Sequence, residues 1–172
     1  MIRCYKRIRY QLFFFLLGLI PLCANAQWTQ LGLDIDGEAA SDESGGAVSI
    51  NAAGDRIAIG ATENSGNKSR SGHVRIYEWN GVAWSQMGMD IDGTSLYGQS
   101  GSSVSINAIG NRVAIGALSG NTSSAGNAGH VRIYEWSGTN WVQLGTKIDG
   151  ASSGSSFGND ISMNATGDRV VI

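Results

Sequence analysis

The sequence contains little proline, cysteine or charge, and each shortage excludes a class of protein. Only 1 of the 172 residues is proline, and the 25 glycines follow no three-residue period, which excludes a collagen-like chain. Charged residues make up 15% of the chain and hydrophobic residues 42%, a balance that excludes intrinsic disorder. The net charge of −2 provides no electrostatic attraction for nucleic acid, so we expect no nucleic-acid partner.

Both cysteines fall in an N-terminal segment that has the features of an export signal. Residues 1–10 carry four basic side chains and no acid, residues 12–22 are apolar, and a small-x-small cleavage site ends at Ala26. The apolar run is shorter than the roughly 20 residues of a membrane-spanning helix. We therefore predict a signal peptide at residues 1–26, a secreted or cell-surface protein, and no transmembrane segment after cleavage.

Cleavage at this site would change the composition of the remaining chain. It would remove both cysteines, so that disulfides and cysteine-based metal sites are excluded from residues 27–172. It would also remove four of the 12 basic residues and none of the 14 acids, which leaves a net charge of −6. The predicted mature protein is therefore acidic.

The remainder of the chain repeats one unit with a period of 56 to 57 residues. The segment that starts at Trp28 recurs at Trp84 and again at Trp141. Two further segments recur at the same spacing, namely residues 49–56, 105–112 and 162–169, and residues 72–79 and 129–136. Such self-similarity is typical of repeat architectures, in which each repeat is one supersecondary unit.

Each repeat contains four strand-like runs and no helical period. In the first repeat, apolar residues alternate over strand A (about 46–51), strand B (about 56–61), strand C (about 72–79) and strand D (about 83–91). Four antiparallel strands repeated radially form a β-propeller blade, so we predict an all-β fold of four-stranded meanders. The alternatives are a β-solenoid, which usually has a shorter period, and separate β-domains, which would bury little core at this size.

The predicted blades do not complete a ring. Residues 27–172 divide into a leading strand D (28–36), two blades (37–92 and 93–149) and a partial blade (150–172). A closed propeller needs at least about four blades. The simplest interpretation is a fragment of a longer protein, whose missing C-terminal blades would close the ring. Assembly of several chains into a ring is the alternative.

The long loops of the predicted meander fall on one face. Strands A and C run in one direction and strands B and D in the other, so the B–C and D–A loops share a face. These loops cover residues 37–45, 62–71, 93–100, 118–128 and 151–156. Binding usually resides in long loops on a rigid scaffold, so we predict that this is the ligand face. The candidate contact residues are Glu38, Asp42, Glu43, Lys68 and Arg70.

Acidic and histidine residues recur around the same face. The Asp-x-Asp-Gly segments supply weak candidates for a divalent-cation site: Asp34, Asp36, Asp90 and Asp92. The other interpretation, which we favour, is that these aspartates cap a turn at the end of strand D. His73 and His130 occupy equivalent positions in strand C, and we expect a structural role in which the imidazole bonds to neighbouring backbone. No other cofactor is expected.

The repeat resembles the FG-GAP repeat of integrin-α-type β-propellers. Residues 103–117 (SVSINAIGNRVAIGA) carry the resemblance, Phe157-Gly158 matches the FG element, and Gly45-Gly46 stands there in the first repeat. The Trp-x-Gln-x-Gly and Gly-His-Val-Arg-Ile-Tyr-Glu-Trp segments resemble secreted repeat proteins of Bacteroidetes-type bacteria, which implies export by type IX secretion. Calcium-binding members carry an acidic loop between strands A and B. The A–B turns here are short, so the resemblance does not carry that calcium site over.

No catalytic motif occurs in the sequence. It contains no nucleophile elbow, zinc-protease motif or phosphate-binding loop. We therefore expect a non-enzymatic, exported or cell-surface scaffold for binding or adhesion, with an extracellular protein or glycan as its partner. The alternative is the propeller portion of a larger secreted hydrolase or lyase.

Overall fold

The computed structural model describes residues 2–7, 27–122 and 126–172. These residues form strands, turns and loops and contain no helix, which confirms the all-β prediction. Accordingly, no described helix is long and apolar enough to cross a membrane. In chain order the strands are β1 (Tyr5–Arg7), β2 (Trp28–Gln30), β3 (Ser44–Ile50), β4 (Arg56–Ala61), β5 (His73–Trp79), β6 (Trp84–Gln86), β7 (Ile91–Asp92), β8 (Ser100–Ile106), β9 (Arg112–Ala117), β10 (His130–Trp136), β11 (Trp141–Gln143), β12 (Ile148–Asp149), β13 (Ser162–Met163) and β14 (Val170–Val171).

The first repeat (37–92) and the second repeat (93–149) each form one antiparallel meander. The strand order is β3-β4-β5-β6 in one sheet and β8-β9-β10-β11 in the other, and β7 and β12 also pair with β5 and β10. Strand B matches its predicted range, whereas the prediction of one continuous strand D at about 83–91 is wrong. Strand D is divided into β6 and β7, because Gly88 between them has a φ of +73° and interrupts the pairing.

The two meanders pack face to face, and their core lies between the sheets. Val74 and Ile76 of β5 belong to the same buried cluster as Val113 and Ile115 of β9. The third, partial repeat (150–172) packs in the same way, because Ile161 is buried against Val131 and Ala114 of the second repeat. The described residues thus form a stack of meanders, and they do not form a closed ring.

A β-bulge at the start of strand A brings neighbouring repeats into backbone contact. The pairing register shifts between Ser100 and Ser103, where Gly101 has a φ of +91°. A Cβ atom at Gly60 would collide with the carbonyl oxygen of Gly101, so this close approach requires glycine at position 60. Gly45 occupies the position of Gly101 in the first repeat, with the same bulge and a φ of +96°. The pair equivalent to Phe157-Gly158 in the first repeat is therefore Ser44-Gly45, and not Gly45-Gly46 as the sequence alignment suggested.

The N-terminal strand β1 pairs with the leading strand β2. Tyr5 pairs with Gln30 of β2 just as Tyr77 pairs with Gln86, so residues 2–7 occupy the position of a strand C. Ile2 and Cys4 pack against a buried cluster that includes Ile35. Residue 1 and residues 8–26 of the predicted signal peptide lie outside the described residues, and its cleavage stays a prediction.

Candidate functional site

The B–C and D–A loops interlock on one face of the stack. The B–C loop of the first repeat contacts the D–A loop before it, where the Glu63 N–H donates to the Asp42 carbonyl at 3.1 Å. It also contacts the D–A loop after it, where the Gln99 N–H donates to the Arg70 carbonyl at 3.2 Å. Successive long loops therefore form one continuous surface, which we call the loop face.

The short turns form the opposite face, which we call the turn face. The Ala52 N–H donates to the Ala108 carbonyl of the next A–B turn at 3.0 Å, so these turns are linked from repeat to repeat. Within each turn the asparagine closes the loop, since the Asn51 amide oxygen accepts from the N–H groups of Asp55 and Arg56. These amide oxygens are therefore engaged within the turn.

The predicted contact residues lie on the loop face, and several of them hold it together. The Asp42 carboxylate is buried and accepts from the Asn64 amide at 2.8 Å. The Glu43 carboxylate accepts from the Thr62 hydroxyl, and the Lys68 ammonium donates to the Thr94 carbonyl. Their polar atoms are thus partly used to join neighbouring loops.

A small cavity lies between the loops of two repeats. Its volume is about 210 Å³, and its walls are Arg70, Tyr97, Gln99, Ser119 and Asn127. Arg70 was the one predicted contact residue among them, and it forms an ion pair with Glu63. The other four residues were not predicted as contacts, although all of them lie in loops assigned to the ligand face (93–100 and 118–128).

The D–A loops repeat two positive-φ positions while the side chains there change. Ser41 and Tyr97 take equivalent positions with positive φ, and so do Glu43 and Gln99. The B–C loop is one residue longer in the second repeat, but Arg70 and Asn127, each two residues before the glycine that precedes strand C, have φ values of 48° and 50°. On the turn face, by contrast, the asparagine and arginine of the A–B turn recur unchanged at 51 and 56, 107 and 112, and 164 and 169. Comparison of the repeats would have identified these variable positions.

Glu38, His73 and Asp90 meet at the start of strand β5. The Nδ1 atom of His73 lies 3.7 Å from a Glu38 oxygen and 3.6 Å from an Asp90 oxygen, and His73 is only 1% exposed. The D–A loop supplies Glu38, and the approach to β7 supplies Asp90. Both residues were sequence candidates, whereas His73 was expected to bond to backbone. Its proximity to two carboxylates was not expected.

The other acidic candidates do not join this group of ligands. Asp34 lies beside Arg3 and accepts from Gln30 at 2.8 Å, and the Asp36 carbonyl accepts from Arg75. Asp92 is a near neighbour, and burial, followed by the negative charge of Asp90, raises the pKa of its carboxyl group. The four candidates therefore do not share one site.

The equivalent position in the second repeat has different chemistry. Thr94, His130 and Lys147 replace Glu38, His73 and Asp90. The Lys147 ammonium pairs with Asp149 at 2.9 Å. Burial first, then the charges of Arg132 and Lys147, lower the pKa of His130 to about 4. Neither ring nitrogen of His130 has a hydrogen-bond partner among the described residues, so the backbone bond expected for His130 is absent.

Arginines and tryptophans that recur from repeat to repeat join each repeat to the one before it. Arg75 donates to the Asp36 carbonyl of the preceding strand D and lies over the ring of Tyr77. The Trp141 indole N–H donates to the Met87 carbonyl of the first repeat at 3.0 Å. These side chains therefore contribute to the packing between repeats.

Comparison with models of known protein families gives no match for this chain, and a search of curated proteins finds none that is similar to it. The resemblance to FG-GAP propellers therefore rests on the repeated motifs, and it stays a prediction.

Proposed function

We propose that this chain is part of an exported or cell-surface β-propeller that binds an extracellular protein or glycan through its loop face, without catalysing a reaction. The resemblance to FG-GAP repeats and the N-terminal signal pattern support export and the propeller architecture. The stacked meanders are the arrangement that blades of a propeller adopt. A partner held at the loop face would contact residues from more than one repeat.

The contrast between the two faces carries this proposal. The D–A loops keep the same positive-φ positions in the first two repeats, while the side chain changes from Ser41 to Tyr97 and from Glu43 to Gln99. A scaffold that holds variable side chains on a constant backbone is the usual basis of loop-mediated recognition. Tyr97 is exposed and lies beside amide groups, so it offers an aromatic face together with hydrogen-bonding partners.

An exposed apolar sheet face supports the proposed ring. Val48 and Ile50 of β3 are 57% and 56% exposed, whereas the equivalent Val104 and Ile106 of β8 are 8% and 7% exposed because the first repeat covers them. We infer that a further copy of the same repeat covers β3, contributed by C-terminal blades that close the ring. Single-sheet faces this apolar rarely remain open to water in an assembled protein.

A binding screen with matched variants tests the proposal. The full chain is screened against extracellular-matrix proteins and a glycan array, and Tyr97→Ala is compared with Val82→Ala. Val82 is exposed at the C–D turn, which lies beside the A–B turn because the Trp79 N–H donates to the Asp55 carbonyl. We expect Tyr97→Ala to weaken binding about tenfold or more and Val82→Ala to leave it unchanged. No ligand in the screen, or a loss confined to Val82→Ala, would contradict the proposal.

One observation favours the second candidate, the propeller portion of a larger secreted enzyme. Among the described residues, such a group of histidine and carboxylates meets only in the first repeat, at Glu38, His73 and Asp90, and a single active site breaks the symmetry of a repeat protein in this way. Hydrolysis of an array glycan or of a matrix protein by the full chain, lost in His73→Gln, would support this candidate over a binding scaffold.

A further inference from the structure

We propose that Glu38, His73 and Asp90 bind one divalent transition-metal ion of the Zn²⁺ type. One ligand atom from each residue takes part, and the three atoms all lie within 4.8 Å of one another. The proposal does not depend on the function proposed above, since a metal could bind here in a scaffold or in an enzyme.

The histidine separates this group from an ordinary cluster of surface acids. Its side chain is almost fully buried, and its Nδ1 atom is directed between the two carboxylates. The separations of 3.6 and 3.7 Å are too long for hydrogen bonds and lie within the ion-pair distance of a protonated imidazole. A metal ion between them would satisfy the imidazole nitrogen and both carboxylates at once.

Neighbouring side chains hold the two carboxylates in place. Gln86 donates to the Oδ1 atom of Asp90 at 2.6 Å, which leaves Oδ2 directed towards His73. Asn64 donates to Glu38 at 3.3 Å, and Arg75 lies 4.0 Å from the other oxygen of the same carboxylate. Hydrogen bonds of this kind orient metal ligands and tune their affinity.

The donor set selects the class of ion. Imidazole together with carboxylates suits Zn²⁺ and related transition metals, whereas Ca²⁺ prefers oxygen ligands alone. Three protein ligands leave the fourth position of a tetrahedral ion for water or for an oxygen of a ligand. The Glu38 and Asp90 side chains are partly exposed, so this open position faces solvent at the loop face.

The second repeat provides a matched control within the same chain. His130 occupies the same position in its strand, but Thr94 replaces one carboxylate and Lys147 the other. A lysine ammonium has no lone pair to donate to a metal, and its charge repels a cation. We therefore expect His73 to contribute to metal binding and His130 not to contribute.

Metal titration of the full chain tests the proposal. The protein is prepared without a polyhistidine tag, stripped with a chelator and titrated with Zn²⁺ by calorimetry, and with Co²⁺ while visible absorption is recorded. We expect one ion per chain and a Co²⁺ spectrum of a tetrahedral site. His73→Gln should lower the affinity at least about tenfold, and His130→Gln should leave it unchanged.

Two further variants test the same site without changing the buried histidine, in case His73→Gln fails to fold. Glu38→Gln and Asp90→Asn change partly exposed side chains with little change in shape, and each should also lower Zn²⁺ affinity about tenfold or more. Circular dichroism and melting temperature without metal confirm that they fold. No saturable binding at one equivalent, or equal losses in His73→Gln and His130→Gln, would overturn the proposal.

Discussion

His73 and His130 occupy the same position in two repeats and have opposite electrostatic surroundings. Two carboxylates approach the ring of His73, whereas Arg132 and Lys147 lie near the ring of His130. A sequence repeat identifies such residues as equivalent, but it does not reveal which neighbours the intervening loops supply. Sequence comparison therefore did not distinguish the two histidines, because the acidic neighbours of His73 are replaced by Thr94 and Lys147 around His130.

The pH dependence of stability follows from the burial of His130. Its pKa of about 4 lies below the ordinary value of 6.5, so the unfolded chain binds more protons between these two pH values. The free energy of unfolding should therefore decrease as the pH falls from about 6.5 to about 4. Urea unfolding at pH 7 and pH 5 measures this change, and His130→Gln should make it smaller. Equal pH dependence in the two proteins would rule out this origin.

The elements show how much of the fold the sequence could predict. Strand B was predicted at 56–61 and strand C at 72–79, and they appear as β4 and β5 because their alternation and turn residues are local signals. The division of strand D at Gly88 and the bulge in strand A at Gly101 escaped prediction, since a glycine in the sequence does not by itself show that its backbone adopts a positive φ. Likewise, the loop positions were predicted from the meander order, but the cavity beside Tyr97 forms only where two repeats meet.

The contact between Gly60 and Gly101 can be tested directly. Gly60→Ala would place a methyl group against the Gly101 carbonyl oxygen, so either the sheets separate or the bulge shifts. We expect the free energy of unfolding to decrease by about 1–3 kcal/mol, as is usual for an overpacked core. Gly46→Ala is the control, because its nearest neighbour there is a backbone oxygen at 3.4 Å. Similar stabilities for the two variants would show that the close approach is not required.

At the scale of the whole molecule, we propose that the repeats are blades of a ring in which every sheet face is covered. The face of the second sheet that meets the first repeat fits this proposal, since Val104 and Ile106 are buried there. The outer face of β3 is covered only in part, where Ile2 and Cys4 lie beside Val48 and Ile50 around a cavity of about 230 Å³. Signal cleavage would remove that cover as well, so the proposed ring must supply another repeat.

Thiol labelling of single-cysteine variants tests whether a further repeat covers the outer face of β3. The predicted mature protein contains no cysteine, so Val48→Cys, Val104→Cys and Val82→Cys can each be labelled with a maleimide in the exported, native protein. Val104→Cys reports a buried position between repeats, and Val82→Cys reports an exposed turn. If a further blade covers β3, Val48→Cys will react as slowly as Val104→Cys. If Val48→Cys reacts as fast as Val82→Cys, the face is open and the ring is contradicted.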